Sequence, residues 1–402
     1  PVLDVEVSNY GEQGLLVITS VENEVYLFFT EAFHDGGRTL ENRVYKYAWN
    51  GNELVQPILL KRIPLFDIVY VGGELASGLD GTVYAVTGEN YKTGLLQNHL
   101  KNESYQHYSA KASFDEKNRR TILHSLTHAL SCVKISFYHY TTNPVGWQSE
   151  QPDLSNNPLE FNLFNILGNL DSCARQFYYE NFSDGHWKDT SSIIQIEPKG
   201  EYAAIGIRNS FGLAVDPKTG YLWDTENGPD IYDEINLVET KFNSGWAKIQ
   251  GPSNGRLLPQ LPNYEKYEYS EPEFSWELPI GVTAIEFPNS KIFKKYENFV
   301  FVADVNNGII YKFKLDDTRT KFIFESPHLQ DNVLNIIENS ENSVHVDDTR
   351  CVISGYPCSG IEPMDEILFA KNLGVVTDMK FGPDGALYVI SLMEGKIYRI
   401  AN

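Results

Sequence analysis

The 402-residue sequence predicts an all-β fold with the repeated plan of a propeller. Short apolar runs recur between Gly, Asp and Asn turns. In chain order they are GLLVITS, EVYLFFTEA, RVYKYAWNG, GTVYAVTGE, GYLWDTENG, NFVFVADVNNGIIYKFKL and ALYVISLMEGKIYRI. Their aromatic content, drawn from 24 Tyr and 22 Phe, suits pleated strands. Three of them share one unit, in which an Asp and Gly turn feeds an aromatic strand: LDGTVYAVTGE at 79–89, DPKTGYLWDTE at 216–226 and PDGALYVISLMEGKIYRI at 383–400. Such a unit, repeated at intervals of tens of residues, reads as successive blades of one domain over 1–402.

One stretch breaks the plan. Residues 91–200 are polar, His-rich and aromatic, and read as an insertion or a diverged blade, irregular or partly helical. Within it RRTILHSLTHALSCVKI has helical periodicity, with Leu123, Leu126 and Leu130 near one face. His124, His128 and Cys132 share a stripe at i, i+4 and i+8, which suits either a metal site or a packed amphipathic helix.

Composition narrows the function. A formal charge of -21 repels phosphate backbones and anionic headgroups, which argues against nucleic acid as a partner. No apolar run approaches the ~20 residues that span a bilayer. The four cysteines are even in number. Cys351 and Cys358 bracket CVISGYPC, whose Gly and Pro can turn the chain back, and leave Cys132 with Cys173 as the other pair. Two disulfides, together with sequons at Asn102 and Asn181, fit an exported or cell-surface glycoprotein; free buried thiols are the alternative. Any export signal would have been removed before Pro1.

The most informative segment is AIGIRNSFGLAVDPKTGYLWDTENGPDIYDEINLVETKFNSGW, residues 204–246. It resembles the core motif of the quinoprotein sugar dehydrogenases, also called glucose/sorbosone dehydrogenases. The resemblance implies a six-bladed propeller that holds pyrroloquinoline quinone (PQQ) over a calcium ion and oxidises aldose sugars. It runs from Leu3 to Ala401 except over residues 91–200, which fit poorly, and without the further upstream blade of relatives, so that the first blade is expected to be incomplete or the ring to close differently.

The resemblance also distributes roles. It assigns the carbonyls of Gly228 and Pro229 to the calcium that touches PQQ, and Glu234 to a second, structural calcium with Ser244 where relatives carry Tyr; hard oxygen ligands are what this ion takes. Gln13 in GEQGLL matches a quinone-contacting Gln. Arg208 and Asn209 match the RN pair of the cofactor clamp, although Arg208 equally suits a structural role beneath the propeller mouth.

Other positions depart from the pattern. Tyr70, aligned through Gly72 and Gly73, stands where relatives carry the general-base His, and a phenol with a pKa near 10 is a poor base at neutral pH. Asn306 replaces a clamp Lys, and Val375 and Thr377 replace two clamp Arg. Each lost charge-assisted contact is worth on the order of 1.5–3 kcal/mol. A lost base costs about 10²–10⁴ in rate. Glu89, which matches a family Asp, is too generic to stand in. The favoured expectation is a secreted, calcium-binding propeller with lost or much reduced sugar dehydrogenase activity, whose partner is a sugar, a glycan or a cell-surface protein. The alternative is an active oxidoreductase that uses PQQ through a rearranged pocket. A calcium-dependent hydrolase lacks a visible nucleophile–base pair.

Overall fold

The computed structural model describes residues 2–89 except 64, 66 and 67, residues 189–334 except 254, 256 and 262–266, and residues 365–401. The cysteines, the His-rich stripe, both sequons and most of the 91–200 insertion lie outside them. Among the described residues, five sheets follow one another along the chain. The first joins β1 (Leu15–Val21), β2 (Glu24–Ala32), β3 (Thr39–Trp49) and β4 (Leu54–Ile63) as an antiparallel meander. The second repeats it with β5 (Glu74–Ser77), β6 (Val83–Thr87), β7 (Ser192–Glu197) and β8 (Tyr202–Ile205). Blade structure has therefore resumed by Ser192, within the stretch read as an insertion.

The third sheet starts with β9 (Ser210–Val215), β10 (Leu222–Glu226) and β11 (Asp233–Val238). The chain then adds two-residue strands β12 (Phe242–Asn243) and β13 (Glu268–Tyr269) to the second sheet, before β14 (Phe274–Trp276) returns to the third. The fourth sheet takes β15 (Val282–Glu286), β16 (Phe299–Asp304) and β17 (Ile310–Lys314). A short β18 (Val333–Leu334) edges the third sheet, and β19 (Leu368–Ala370) closes the fourth. The last sheet is β20 (Val376–Phe381), β21 (Leu387–Ser391) and β22 (Lys396–Ile400). The fold is a β-propeller, and its five described sheets contain no α-helix.

Sequence alternation explains the stacking. In β16, Val300 and Val302 face the third sheet's Trp276 and Phe274, whereas Phe301 and Ala303 face Met379, Leu387 and Val389 of the fifth. Period-two strands that are apolar on both faces can only sit between two other sheets. Similar layers join the first sheet to the second through Phe28, Val44, Leu75 and Ile194, and the second to the third through Val86, Ile193 and Leu213. The aromatic layers interlock edge to face, with Trp276 5.2 Å from Tyr311 and Phe274 4.9 Å from Trp276. A buried ion pair lies beside Phe287 of the core between the third and fourth sheets: Arg319 forks onto Asp216 at 2.5 and 2.9 Å.

The first strand of each sheet lies innermost, and β1, β5, β9, β15 and β20 neighbour one another in that order. In an antiparallel meander the entrance to the first strand and the turn between the second and third lie at the same end. Gln13, Tyr70, Arg208 and Val375 immediately precede β1, β5, β9 and β20, and Gly228 and Asn306 sit in the β10–β11 and β16–β17 turns. Topology therefore brings the expected site residues to one end, the mouth.

Candidate functional site

Arg208 is the centre of the mouth. Its side chain is buried, and Nη1 donates to the carbonyls of Asn227 at 2.6 Å and Gly228 at 2.8 Å. The guanidinium carbon lies 4.6 Å from the centre of the Tyr70 ring and 5.4 Å from that of Trp246. Stacking of this kind holds a planar cation between two aromatic faces. The backbone is fixed as well: the Arg208 N–H donates to Glu226 Oε1 at 2.7 Å, and its carbonyl accepts the Glu89 N–H at 2.7 Å.

Tyr70 reaches this position through a tight loop. Its φ is 58°, a left-handed conformation that a bulky residue adopts only under constraint. The constraint comes from Gly88, where an added Cβ would lie 2.2 Å from the Tyr70 carbonyl oxygen. Asn209 serves the scaffold: its Oδ1 accepts the Gly72 N–H at 3.0 Å, and its carbonyl accepts the Asn227 N–H at 2.8 Å. Gln13 is turned onto its own sheet, where Oε1 accepts from Ser8 at 2.7 Å and Thr39 at 2.6 Å.

The turn that carries Gly228 is anchored by Asp233. This buried carboxylate accepts the N–H of Gly228 at 2.9 Å on Oδ1, and those of Ile280, Gly281 and Val282 at 2.8, 2.7 and 3.2 Å on Oδ2. Glu234, the next residue in the strand, points to the other face. It accepts from the Gly251 N–H and from Asn236 Nδ2, among the buried carboxylates of Glu226 and Asp224. Ser244 donates to Glu226 at 2.5 Å. The structure thus gathers Tyr70, Arg208, Asn209 and Gly228 at the mouth and places Glu234 and Ser244 with a separate acidic group. Among the described residues no three His, Cys, Asp or Glu converge on a common metal position.

Sequence reading missed Glu12. Its carboxylate accepts the Val71 N–H at 3.0 Å and bonds to Asn209, and Arg208 lies close enough to act on its charge. Burial raises its pKa above the usual carboxylate range. Nothing in the motif marked it, because a Glu beside Gly11 reads as a solvated turn residue. Trp246 was visible only as the end of the motif; its Nε1 donates to Glu89 at 2.7 Å, which orients the ring toward Arg208. A groove of about 870 Å³ at the other end of the second and third sheets, lined by Tyr84, Tyr202, Tyr221, Glu201, Glu239 and Lys241, contains none of the expected residues.

The motif that builds this mouth lies within residues 184–341, which match the family described as Glucose / Sorbosone dehydrogenase. That match covers 158 of the 402 residues, 184 through 341. Separately, 117 residues of the chain are 29% identical to the aldose sugar dehydrogenase YliI of Escherichia coli K12, over 29% of this chain and 32% of that protein. The match spans about a third of that relative's length. Two solved structures are similar over nearly the whole chain. A glucose dehydrogenase has a TM-score of 0.54 and 15% identity, covering 99% of this chain and 85% of that one. The PQQ-bound aldose sugar dehydrogenase of Streptomyces coelicolor has a TM-score of 0.50 and 17% identity, covering 96% and 75%. At these identities the structures establish the fold alone, and the sequence similarity to the family is that of residues 184–341.

Whether the family's groups fit is decided by what the residues already do. The clamp positions are engaged: Gln13 by Ser8 and Thr39, Arg208 by two carbonyls, Asn209 by Gly72. Asn306, Val375 and Thr377 offer no charge. A trianionic quinone does not fit this mouth as it stands. The acidic group offers oxygens of the kind a hard cation takes, since Glu226 and Glu234 pair across two strands and Asp224 Oδ2 has no hydrogen-bond partner, but its carboxylates do not converge on one metal position.

Proposed function

We propose that this protein is an exported propeller derived from PQQ-dependent sugar dehydrogenases, in which aldose oxidation is lost or much reduced and the mouth serves binding or structure. The observation that carries this reading is the Tyr70 ring lying on the Arg208 guanidinium. Hydride removal from a sugar carbon requires a group that takes the hydroxyl proton. At the position of the family His stands a phenol, stacked on a cation that is itself committed to two carbonyls.

A calcium ion, where one binds, is assigned to the acidic group, with Glu234 as the carboxylate ligand and Ser244 beside it. The acidic composition and even cysteine count support an extracellular or cell-surface setting, with a sugar, a glycan or a surface protein as partner. The test is to titrate the purified protein with PQQ and Ca²⁺ and then add aldoses with an artificial electron acceptor. No PQQ-dependent turnover is expected, and robust glucose oxidation would overturn the reading.

One observation favours the alternative, an oxidoreductase with a rearranged pocket. Glu12 is a buried mouth carboxylate with a raised pKa, which is how a carboxylate becomes a useful base near neutral pH. If turnover appears, Glu12→Gln should abolish it.

A further inference from the structure

We infer that the guanidinium of Arg208 is the resident cation of the mouth, seated on the Asn227 and Gly228 carbonyls and so on one of the two that the resemblance assigns to calcium, and that the mouth is assembled without a divalent metal there. The inference concerns how the site is built and does not depend on whether aldose oxidation survives.

Two carbonyl oxygens, those of Asn227 and Gly228, converge on a single nitrogen of Arg208 at 2.6 and 2.8 Å. Convergent carbonyls are a cation nest, and here a side chain of the protein fills it. Neither wall can readily retreat. The Gly228 N–H is held by Asp233, and a Cβ on Gly228 would meet the carbonyl oxygens of Ile231 and Tyr232 at 2.1 Å, so the turn has closed down around a bare glycine. Asn227 is held by its side chain, which donates to Val282 O at 2.8 Å and Asn209 O at 3.2 Å.

Arg208 is equally fixed, by its backbone bonds to Glu226 and Glu89 and by the Tyr70 and Trp246 rings. The carboxyl groups of Glu12 and Glu226 both lie within range of its charge. Calcium needs six to eight oxygens at about 2.3–2.6 Å. The carbonyl common to both sets, that of Gly228, already faces the guanidinium at 2.8 Å, and that positive charge opposes a divalent ion at the same oxygen. The frame also shifts by one residue, since Arg208 takes Asn227 and Gly228, whereas the resemblance points to Gly228 and Pro229.

The test is anomalous diffraction from crystals of the wild-type protein and of Arg208→Met, each soaked in TbCl₃ as a calcium mimic. The expected result is no terbium peak at the Asn227 and Gly228 carbonyls in the wild type, and a peak there in Arg208→Met. A wild-type peak at coordination distance from Gly228 O, with Arg208 swung aside, would overturn the inference. So would the absence of a peak in both proteins, because the carbonyls would then be no cation nest. If Arg208→Met does not fold, the wild-type soak still decides. Because the readout is a position in the mouth, a negative result here leaves the aldose oxidation test intact.

Discussion

Glu226 and Glu234 stand directly opposite each other across β10 and β11, both buried and both on the face that also carries Asp224. Burial pushes Glu226 up to about 7, and Glu234 well above the ordinary carboxylate range, where repulsion from Glu226 adds to the effect.

This arrangement predicts the direction of the pH response. A carboxyl whose pKa is raised in the folded state keeps a proton that the unfolded chain has released, so its contribution is complete below the unfolded value and fades as pH rises through the folded one. Glu226 at about 7, and Glu74 and Glu273 at about 8, each raised chiefly by burial, place the window between pH 4.5 and 8. The melting temperature should therefore fall from pH 5 to pH 8. Glu226→Gln should flatten part of that slope, worth up to about 3 kcal/mol. Calcium should flatten it too if it displaces the protons of this group. A melting temperature that rises across the window would contradict the arrangement.

Restoring the base alone should not restore chemistry. Tyr70→His is expected to remain inactive on aldoses with added PQQ, because Asn306, Val375 and Thr377 still leave the quinone carboxylates without cations. Adding Asn306→Lys, Val375→Arg and Thr377→Arg should raise PQQ affinity by on the order of a hundredfold or more, read by fluorescence titration. An active single variant would show that the clamp is dispensable.

Gly88→Ala tests the loop that positions Tyr70. The new methyl would lie 2.2 Å from the Tyr70 carbonyl oxygen, and backbone cannot yield as a flexible side chain does. Stability should drop by about 1–3 kcal/mol in urea denaturation. Near-ultraviolet circular dichroism should change as Tyr70 leaves Arg208. An unchanged spectrum would mean that the loop adapts elsewhere.

Arg319→Ala removes one partner of the buried Asp216 pair and leaves a buried carboxylate that accepts from the Lys218 N–H and the Thr219 hydroxyl but has lost its ion-pair partner. A loss of about 3–5 kcal/mol is expected. Replacing both residues by apolar ones should recover much of it, and a full loss in the double variant would place the stabilisation in the ion pair itself.

Much of the fold was legible because its signals are local. EVYLFFTEA became β2, GTVYAVTGE contains β6, and NFVFVADVNNGIIYKFKL became β16 and β17 about a turn. Strand β7 was harder to see, since SIIQIE follows a long segment with no blade signal. At the mouth, Tyr70, Arg208 and Gly228 were legible as a group through motif order. Their mutual contacts were not, because a cation between two rings depends on three strands' ends meeting in space. Glu12 shows the limit most clearly: one position from Gln13, which the motif marked, it is the residue that bonds to Asn209 and reaches toward Arg208.

Asp233 gives the mouth a property beyond hydrogen bonding. One carboxylate grips amides on both sides of the joint between the third and fourth sheets, and Ile280, among the residues it grips, accepts the Asn306 N–H at 3.3 Å. The Gly228 turn and position 306 are thereby mounted on a common chassis. A lysine grafted at 306 would ride on the same rigid part as the carbonyl nest, its spacing already set. Position 306 carries no charge, but the jig that would align one with the carbonyls is bolted in place.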